Sequence, residues 1–282
     1  MAVLTGRGAG TEARSAGQRA HGPVLREDRA GRCLVIGHRG AEAVAPENTW
    51  AALRAGQQAG ADLLEIDVQL ARDGEAILFH DFSLYPKLGD PRWVRDMGWE
   101  ELCGLDVGSW YGPAFAGERI PRLAEVLEWA RGRAGLQVDL KHGFQAAGDD
   151  RLEMAALELI DRAGMAGPVM ISSWDEVALA RIHARRPDVA LAVNLPSRVA
   201  DPAGRAAASG ASWVLAYWPQ IDAGAVACLH EAGYAVCLNE LFSGEYGEVV
   251  RLGVDAVTAG DPGAARAALD EILRFAQGDG NR

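Results

Sequence analysis

Acidic residues at the ends of apolar segments have the types and spacing needed for metal chemistry. Glu65 and Asp67 lie two residues apart, and successive side chains of a strand alternate between its faces, so both carboxylates point to the same side. Two such carboxylates repel each other unless a cation is present, and hard oxygen ligands favour Mg²⁺ or Ca²⁺. Asp139, which shares a face with Lys141, is predicted to complete a three-carboxylate shell. The alternatives are a pair of solvated acids and one internal salt bridge.

Two histidines and two cations suggest acid–base chemistry on a phosphate. His38 and Arg39 stand between glycines at the end of the first predicted strand, where barrel enzymes carry their catalytic residues. Imidazole exchanges a proton near neutral pH, and the guanidinium fork suits a phosphate or a carboxylate. His80 closes a predicted hairpin at the same rim, so one histidine can take a proton from the attacking group while the other protonates the leaving oxygen. Lys141 is expected to hold a phosphate oxygen, and a purely structural His-Arg pair is the alternative.

The other histidines have ordinary explanations. His183 and His230 lie within helical patterns and are expected at the surface or in packing. His142 follows Lys141 and is a candidate to reach the site. His21 lies in the N-terminal segment and is given no role.

Charge and cysteine content exclude several classes of protein. With 28 basic and 39 acidic residues, the formal net charge of -11 argues against nonspecific nucleic-acid binding, which needs a basic face. A small anionic substrate at a locally positive site stays possible. The four cysteines form no CxxC pair, which favours a reduced, cytoplasmic chain over a disulfide framework or a zinc site. No run approaches the ~18–20 apolar residues of a membrane span, and residues 1–31, which lack the apolar core of a secretory signal, are predicted to be a flexible tail.

Between residues 32 and 277, strand patterns alternate with amphipathic helical patterns, which is typical of a parallel sheet with helices outside it. The predicted barrel strands are 33–37, 62–68, 136–140, 168–172, 189–194, 213–217, 234–238 and 255–258. The predicted helices are 48–60, 122–132, 151–164, 173–186, 198–210 (weak, broken by Pro202), 222–233, 244–253 and 262–276. Eight strands, each followed by a helix, predict an α/β fold of the (β/α)8 TIM barrel type. A doubly wound open sheet is the alternative, but the first strand–helix turn lacks its GxGxxG pattern.

Residues 68–79 are predicted to form a hairpin above the barrel rim instead of a ninth barrel strand. Asp73-Gly74 is a turn signal, and residues equidistant from a turn pair across it, so His80 is expected to return to the height of Asp67. A segment at about 82–121 follows, which is too long for an ordinary loop. It is predicted to be a small insertion after the second strand that covers the barrel mouth, held by its own aromatic side chains and shaping the pocket.

Taken in order, eight short motifs resemble the glycerophosphodiester phosphodiesterase family. They are GHRG, APENT, EIDV, RDG, FHD, VDLK, ISSW and GDP, and the resemblance runs from about residue 34 to about residue 275. It implies a (β/α)8 barrel with one divalent cation, Mg²⁺ or Ca²⁺, that hydrolyses a small-molecule glycerophosphodiester to an alcohol and glycerol 3-phosphate.

Matching the motifs residue by residue implies seven site residues. These are catalytic His38 and His80, metal ligands Glu65, Asp67 and Asp139, and phosphate-binding Arg39 and Lys141. Two departures concern the leaving group. Where the family usually has WTVN, this chain keeps the Asn as Asn239 but lacks the Trp, and LYPKL replaces LxRTT after the HD motif. A third departure is Asp139, where the family commonly has Glu. The alternatives are therefore a lysophospholipase D-like phosphodiesterase and a catalytically silent barrel that binds a phosphorylated ligand.

Overall fold

Strands and helices alternate along the chain as the sequence predicts. The computed structural model describes residues 32–143, 148–196, 199–217, 220–241 and 246–276. The predicted tail at 1–31, with His21, lies outside the described residues.

Eight parallel strands close into a barrel, which confirms the predicted (β/α)8 fold. In chain order the strands are β1 Leu34–Gly37, β2 Leu63–Leu70, β3 Ala76–Leu78, β4 Gly135–Leu140, β5 Val169–Ser173, β6 Ala190–Asn194, β7 Trp213–Tyr217, β8 Ala235–Leu241 and β9 Ala256–Ala259. Each barrel strand pairs with the next, and β1 pairs with both β2 and β9, so the ring has no open edge. Strand β3 pairs antiparallel with β2 and lies outside the ring.

A helix follows each barrel strand, and two further short helices follow the hairpin. In chain order the helices are α1 Trp50–Gln58, α2 Tyr85–Leu88, α3 Trp99–Leu102, α4 Leu123–Ala130, α5 Arg151–Ala163, α6 Glu176–Arg185, α7 Pro202–Ser209, α8 Ala223–Glu231, α9 Tyr246–Leu252 and α10 Pro262–Ala276. Helix α7 corrects the prediction that Pro202 breaks this segment. Pro202 begins the helix, where its missing N–H costs nothing, and Asp201 caps it by accepting the N–H of Gly204. Within the described residues, no helix has both the length and the apolar character required to cross a bilayer.

The barrel interior changes from apolar to polar along the strands. Residues of one parity on β2 point inward, so Leu63 is followed up the strand by Glu65 and Asp67. The same change occurs on β8, where Cys237 is followed by Asn239. A buried apolar cluster fills the lower interior: Leu34, Ile36, Leu63, Met170, Ala190, Ala192, Trp213, Leu215, Cys237 and Ala256. Residues of the other parity, such as Ile66, belong to the larger cluster that packs against the helices. The polar end of the interior is therefore the carboxyl end of the strands.

The hairpin register differs from the prediction by one residue. Val68 pairs with Leu78, and the Phe79 N–H donates to the Asp67 carbonyl at 3.0 Å. The physical reason is a three-residue loop, 72–74, closed by the Ala71 N–H on the Glu75 carbonyl at 2.9 Å, with Gly74 at φ 88°. An odd loop length shifts the pairing from the one that a two-residue turn would produce. Phe79 therefore lies opposite Asp67, and His80 lies one position further.

The segment after the hairpin packs around a small apolar cluster of its own. Side chains of this segment, such as Leu84, Val94 and Ile120, pack against Ile77 and Phe79 of the hairpin. Aromatic residues contact one another edge to face, with Trp110 at 5.6 Å and Phe115 at 5.3 Å from Tyr111 between ring centres. The Lys87 ammonium lies 4.5 Å from the centre of the Trp110 ring.

Candidate active site

All seven residues predicted to form the site line one pocket of about 170 Å³ at the carboxyl end of the barrel. They are His38, Arg39, Glu65, Asp67, His80, Asp139 and Lys141. Each barrel strand contributes at least one lining residue, either from its carboxyl half or just after it, and His80 comes from the hairpin. The barrel therefore brings together residues from His38 to Thr258, which lie far apart in the chain, as expected for this fold.

Three buried carboxylates form the floor of the pocket. Glu65, Asp67 and Asp139 each have an oxygen within 4.8 Å of one of the others. Their exposed fractions are only 4%, 1% and 3%. The arrangement follows from the strand register, because Asp67 on β2 pairs with Asp139 on β4 and Glu65 lies two residues before Asp67.

Asp67 is held by an asparagine that the sequence analysis did not single out. The Asn48 side-chain amide donates to Asp67 Oδ2 at 2.7 Å, and the Asp67 N–H donates to Asn48 Oδ1 at 3.0 Å. Asn48 adopts a left-handed backbone conformation with φ 56°, which asparagine tolerates better than most residues. Asn48 lies within the APENT motif, so the motif was a signal but its role was not apparent.

Asp139 has both oxygens engaged. Oδ1 accepts hydrogen bonds from Ser172 at 2.7 Å and from Asn194 at 2.8 Å. Oδ2 lies 2.7 Å from the ammonium of Lys141, which also lies 2.8 Å from Asp67 Oδ1. The internal salt bridge that the sequence analysis treated as an alternative is therefore present alongside the carboxylate cluster.

The charges of the floor fit a divalent cation. Burial and the neighbouring Asp67 carboxylate raise the pKa of Glu65, against the opposing effect of His38. Burial acts on Asp67 in the same direction, but Lys141, His80 and Arg39 together lower its pKa. A third negative charge beside Asp67 and Asp139 is thus unfavourable in the protein alone, and a bound cation would remove this penalty. Oxygen donors of this kind suit Mg²⁺ or Ca²⁺.

His38 is oriented by a carboxylate four residues further along the chain. Its Nδ1 lies 2.6 Å from Glu42 Oε1, and its Nε2 lies 3.9 Å from Glu65 Oε2. Burial favours the neutral ring, but the hydrogen bond to Glu42 and the charges of Glu65 and Glu42 raise the pKa of His38 to about 8. His38 is therefore poised to hold or release a proton near neutral pH.

His80 lies nearer the solvent than His38. Its side chain is 32% exposed, and its Nδ1 lies 2.9 Å from Asp81 Oδ1. The buried amide of Gln69 donates to the carbonyl oxygens of Phe79 at 2.6 Å and Asp81 at 2.8 Å. The end of the hairpin is thus fixed to β2, which places the ring over the pocket.

Arg39 takes an unusual backbone conformation to reach the pocket. Its φ is 48°, and its N–H donates to Glu65 Oε2 at 2.7 Å. The guanidinium Nη1 lies 3.0 Å from Glu47 Oε1, and Nε lies 3.4 Å from Asp67 Oδ2. Nε is buried and has no hydrogen-bond partner among the described residues. A buried donor beside a cluster of acids is available for an oxygen of a ligand.

His142, which the sequence made a candidate, turns away from the pocket. Its Nε2 lies 3.1 Å from the buried carboxylate of Glu153 on α5, and its Nδ1 lies 3.1 Å from Ser173 Oγ. Glu153 also pairs with Arg181 on α6. His142 therefore ties the end of β4 to the helices behind it.

Six residues that were not predicted as site residues complete the pocket wall. They are Gln137, Trp174, Asn194, Tyr217, Asn239 and Thr258. Trp174 and Tyr217 stack with ring centres 5.7 Å apart, and Trp174 is 44% exposed. Trp174 and Asn239 lie in recognised motifs, whereas the others are single residues on the strands whose only signal was inward parity.

The comparison with protein families explains the ordered motifs. A model of the glycerophosphoryl diester phosphodiesterase family matches residues 38–263. The chain belongs to this family. The match begins at His38 and includes all seven predicted site residues.

The chain is also similar in sequence or structure to individual members of the family. The Bacillus subtilis protein YhdW is 46% identical over 107 residues, which are 38% of this chain and 44% of that protein. A glycerophosphodiester phosphodiesterase of Caldanaerobacter subterraneus is 32% identical over 172 residues, or 61% of this chain and 70% of that one. The match thus spans less than half the length of YhdW. A solved Oleispira antarctica phosphodiesterase in complex with the product sn-glycerol-3-phosphate has a TM-score of 0.77 at 28% identity, covering 84% of this chain and 96% of that chain.

Proposed function

We propose that the protein hydrolyses glycerophosphodiesters to an alcohol and glycerol 3-phosphate, using a divalent cation and the pair His38 and His80. The observation that carries this proposal is one pocket in which both imidazoles stand over three carboxylates that lie within 4.8 Å of one another. The Oleispira antarctica relative, which was solved with sn-glycerol-3-phosphate, supports the same substrate class.

Glu65, Asp67 and Asp139 would hold the cation. When bound, a divalent cation supplies Lewis-acid stabilisation of negative charge on a phosphate oxygen. Mg²⁺ and Ca²⁺ are the ions proposed, because all three donors are hard carboxylate oxygens.

Arg39 and Lys141 would bind the phosphate oxygens. The Nε of Arg39, which has no hydrogen-bond partner among the described residues and lies 3.4 Å from Asp67 Oδ2, supplies a buried donor. Lys141 carries its ammonium between Asp67 and Asp139. Donors that are fixed before the reaction stabilise developing charge best where water is excluded.

His38 is assigned as the general base. Glu42 accepts a hydrogen bond from the Nδ1–H, so that the neutral ring presents an unprotonated Nε2 on the side of Glu65. At Nε2 it takes a proton from the attacking group, which is water or a neighbouring glycerol hydroxyl. The glycerol hydroxyl would give a cyclic phosphate that water then opens. The deep position of His38 suits attack from the glycerol side.

His80 is assigned as the general acid. Its Nδ1 faces Asp81, which leaves Nε2 to donate a proton to the departing alcohol oxygen. The alcohol is the variable part of the substrate, and His80 lies at the more exposed side of the pocket, through which a large alcohol can leave.

The test is a panel of phosphodiesters assayed with Mg²⁺, Ca²⁺, Mn²⁺ and a chelator, with released glycerol 3-phosphate as the readout. We expect glycerol 3-phosphate to appear with at least one of the ions and to be lost with the chelator. Cation binding without hydrolysis of any diester would instead support a silent binding barrel and would contradict the proposed activity.

A lysophospholipase D-like activity is the second candidate, and an apolar pocket favours it. This pocket of about 300 Å³ shares one lining residue, Tyr217, with the catalytic pocket. Leu195, Val199 and Ile221 line it from the loops after β6 and β7. An acyl chain would fit such a lining. Faster hydrolysis of lysophosphatidylcholine than of glycerophosphocholine would favour this candidate, and the reverse order would favour the first.

A further inference from the structure

Gln137 is a buried polar residue of the pocket that has no role in the mechanism above. It lies on β4 two residues before Asp139, so both side chains point into the barrel. It is 2% exposed and lines the catalytic pocket. In the strand register it pairs with Glu65 on β2.

The hydrogen bonds around Ser172 fix the orientation of the Gln137 amide. The Ser172 hydroxyl donates its proton to Asp139 Oδ1 at 2.7 Å. Its oxygen can then only accept from Gln137, which lies 3.2 Å away, so the amide nitrogen Nε2 must face Ser172. Strand β4 lies between β5, which carries Ser172, and β2, which carries Glu65. The amide oxygen is thus directed away from Ser172.

The amide oxygen of Gln137 lacks a donor. Oε1 is buried and has no hydrogen-bond partner among the described residues. A buried acceptor left in this state lowers the stability of the fold, so it calls for a partner that the protein does not supply. The neighbouring groups of the floor are carboxylates, which are acceptors as well, and the Lys141 ammonium, which is already engaged by Asp67 and Asp139. Asp139 has no spare capacity for a ligand on Oδ1, which already accepts from Ser172 and Asn194. A neutral oxygen at this position completes an acceptor-rich floor without adding a further negative charge.

We propose that Gln137 Oε1 is a fourth protein oxygen of the cation shell, in direct contact with the ion or through one bound water. The inference rests on the proposed cation site. Ser172 is then a positioning residue, because it holds the amide with its oxygen toward the site while it also binds Asp139.

The test measures cation binding and stability without any substrate. Mg²⁺ and Ca²⁺ are titrated calorimetrically into the metal-free full chain, and the Tm of the metal-free form is recorded. Gln137→Leu should weaken the affinity by about 10-fold or more, as loss of a residue that supports a metal shell usually does. Its metal-free Tm should be equal to or higher than that of the parent, since the substitution removes an unpartnered acceptor. A merely structural glutamine would produce a lower Tm and an unchanged affinity.

A matched control distinguishes the effect of an unpartnered polar atom in the pocket from the effect of one buried elsewhere. Trp213 Nε1 is another buried polar atom without a partner among the described residues, but it belongs to the lower apolar cluster. Trp213→Phe should bind both ions like the parent. If Gln137→Leu does not fold, Gln137→Met is measured in its place. Unchanged affinity in the folded Gln137 variant overturns this inference alone, whereas a parent protein that binds neither ion overturns the proposed cation site as well.

Discussion

Asp67 and Asp139 are register partners on adjacent parallel strands, and the ammonium of Lys141 lies between their carboxylates at 2.8 and 2.7 Å. Burial opposes the charge on Lys141, but Asp139 and Asp67 raise its pKa, so it stays protonated. The floor of the pocket therefore sets acidic and basic groups side by side, with one ammonium shared by two of its three carboxylates.

Replacing Lys141 with Met should destabilise the metal-free protein, because two buried carboxylates lose their counter-charge. Removal of one partner from a buried ion pair typically costs about 3–5 kcal/mol. Chemical denaturation of the metal-free variant measures this loss, and Mg²⁺ or Ca²⁺ should recover part of it. Lys87→Met is the control, since the partners of Lys87, Glu47 and Asp81, are more exposed and a smaller loss is expected. A metal-free Lys141→Met protein as stable as the parent would contradict the prediction.

Replacing either His38 or His80 with Ala should lower turnover of a glycerophosphodiester by about 10²–10⁴-fold, the usual contribution of a general acid or base. The fold should persist, because neither ring belongs to the apolar clusters. Turnover is measured as glycerol 3-phosphate release, and folding by circular dichroism. His230→Ala serves as the control, because His230 is exposed and pairs with Asp255 away from the pocket. Near-normal turnover in both pocket variants would refute the assignment of His38 and His80.

Replacing Glu42 with Gln should move the acid limb of the pH–rate profile to lower pH. The hydrogen bond and charge of Glu42 help to raise the pKa of His38 to about 8, so an uncharged amide lowers that pKa. If His38 acts in its neutral form, activity rises as pH passes upward through its pKa, and a lower pKa brings this rise to lower pH. The measurement is kcat/KM against pH for the parent, for Glu42→Gln and for Glu248→Gln, an exposed carboxylate on α9. A limb that moves equally in both variants, or in neither, would contradict the prediction.

A divalent cation should raise the Tm of the parent protein. One site that binds the folded form alone adds about 2.7 kcal/mol of stability at about 100 times Kd. Glu65→Gln should lose most of this gain, while its metal-free form should be no less stable, because the amide oxygen can still accept the Arg39 N–H and one buried charge is gone. Thermal melts with and without Mg²⁺ or Ca²⁺ test both parts. An equal cation-induced shift in the variant would show that Glu65 is not a ligand.

The sequence predicts the barrel and the acidic floor well because both depend on simple periodicity. Alternating strand parity places Glu65 and Asp67 on one face, and parallel pairing then brings Asp139 beside them. The prediction that Pro202 breaks a helix was wrong. A proline at the first helical residue and a proline inside a helix look alike in an isolated sequence. The hairpin register was wrong by one residue because the length of a tight loop is set by backbone conformation.

Other parts of the site depend on contacts that no local pattern carries. Asn194 and Thr258 are single polar residues at strand ends, and their roles follow from partners on other strands. Asn48 holds Asp67 across 19 residues of sequence through a left-handed turn. His142 was a candidate by adjacency to Lys141, but the strand turns it toward Glu153. The sequence predicts the closed ring, but these individual contacts depend on how side chains of different strands and loops meet inside it.

The change from apolar to polar residues inside the barrel separates residues that stabilise the fold from residues that line the pocket, although both lie on the same strands. On β2, the first inward-facing residue, Leu63, packs in the apolar interior, and the later inward-facing residue Asp67 lines the catalytic pocket. Diversifying Asn194, Tyr217, Asn239 and Thr258 together would therefore explore new specificities while the lower half continues to direct assembly of the ring.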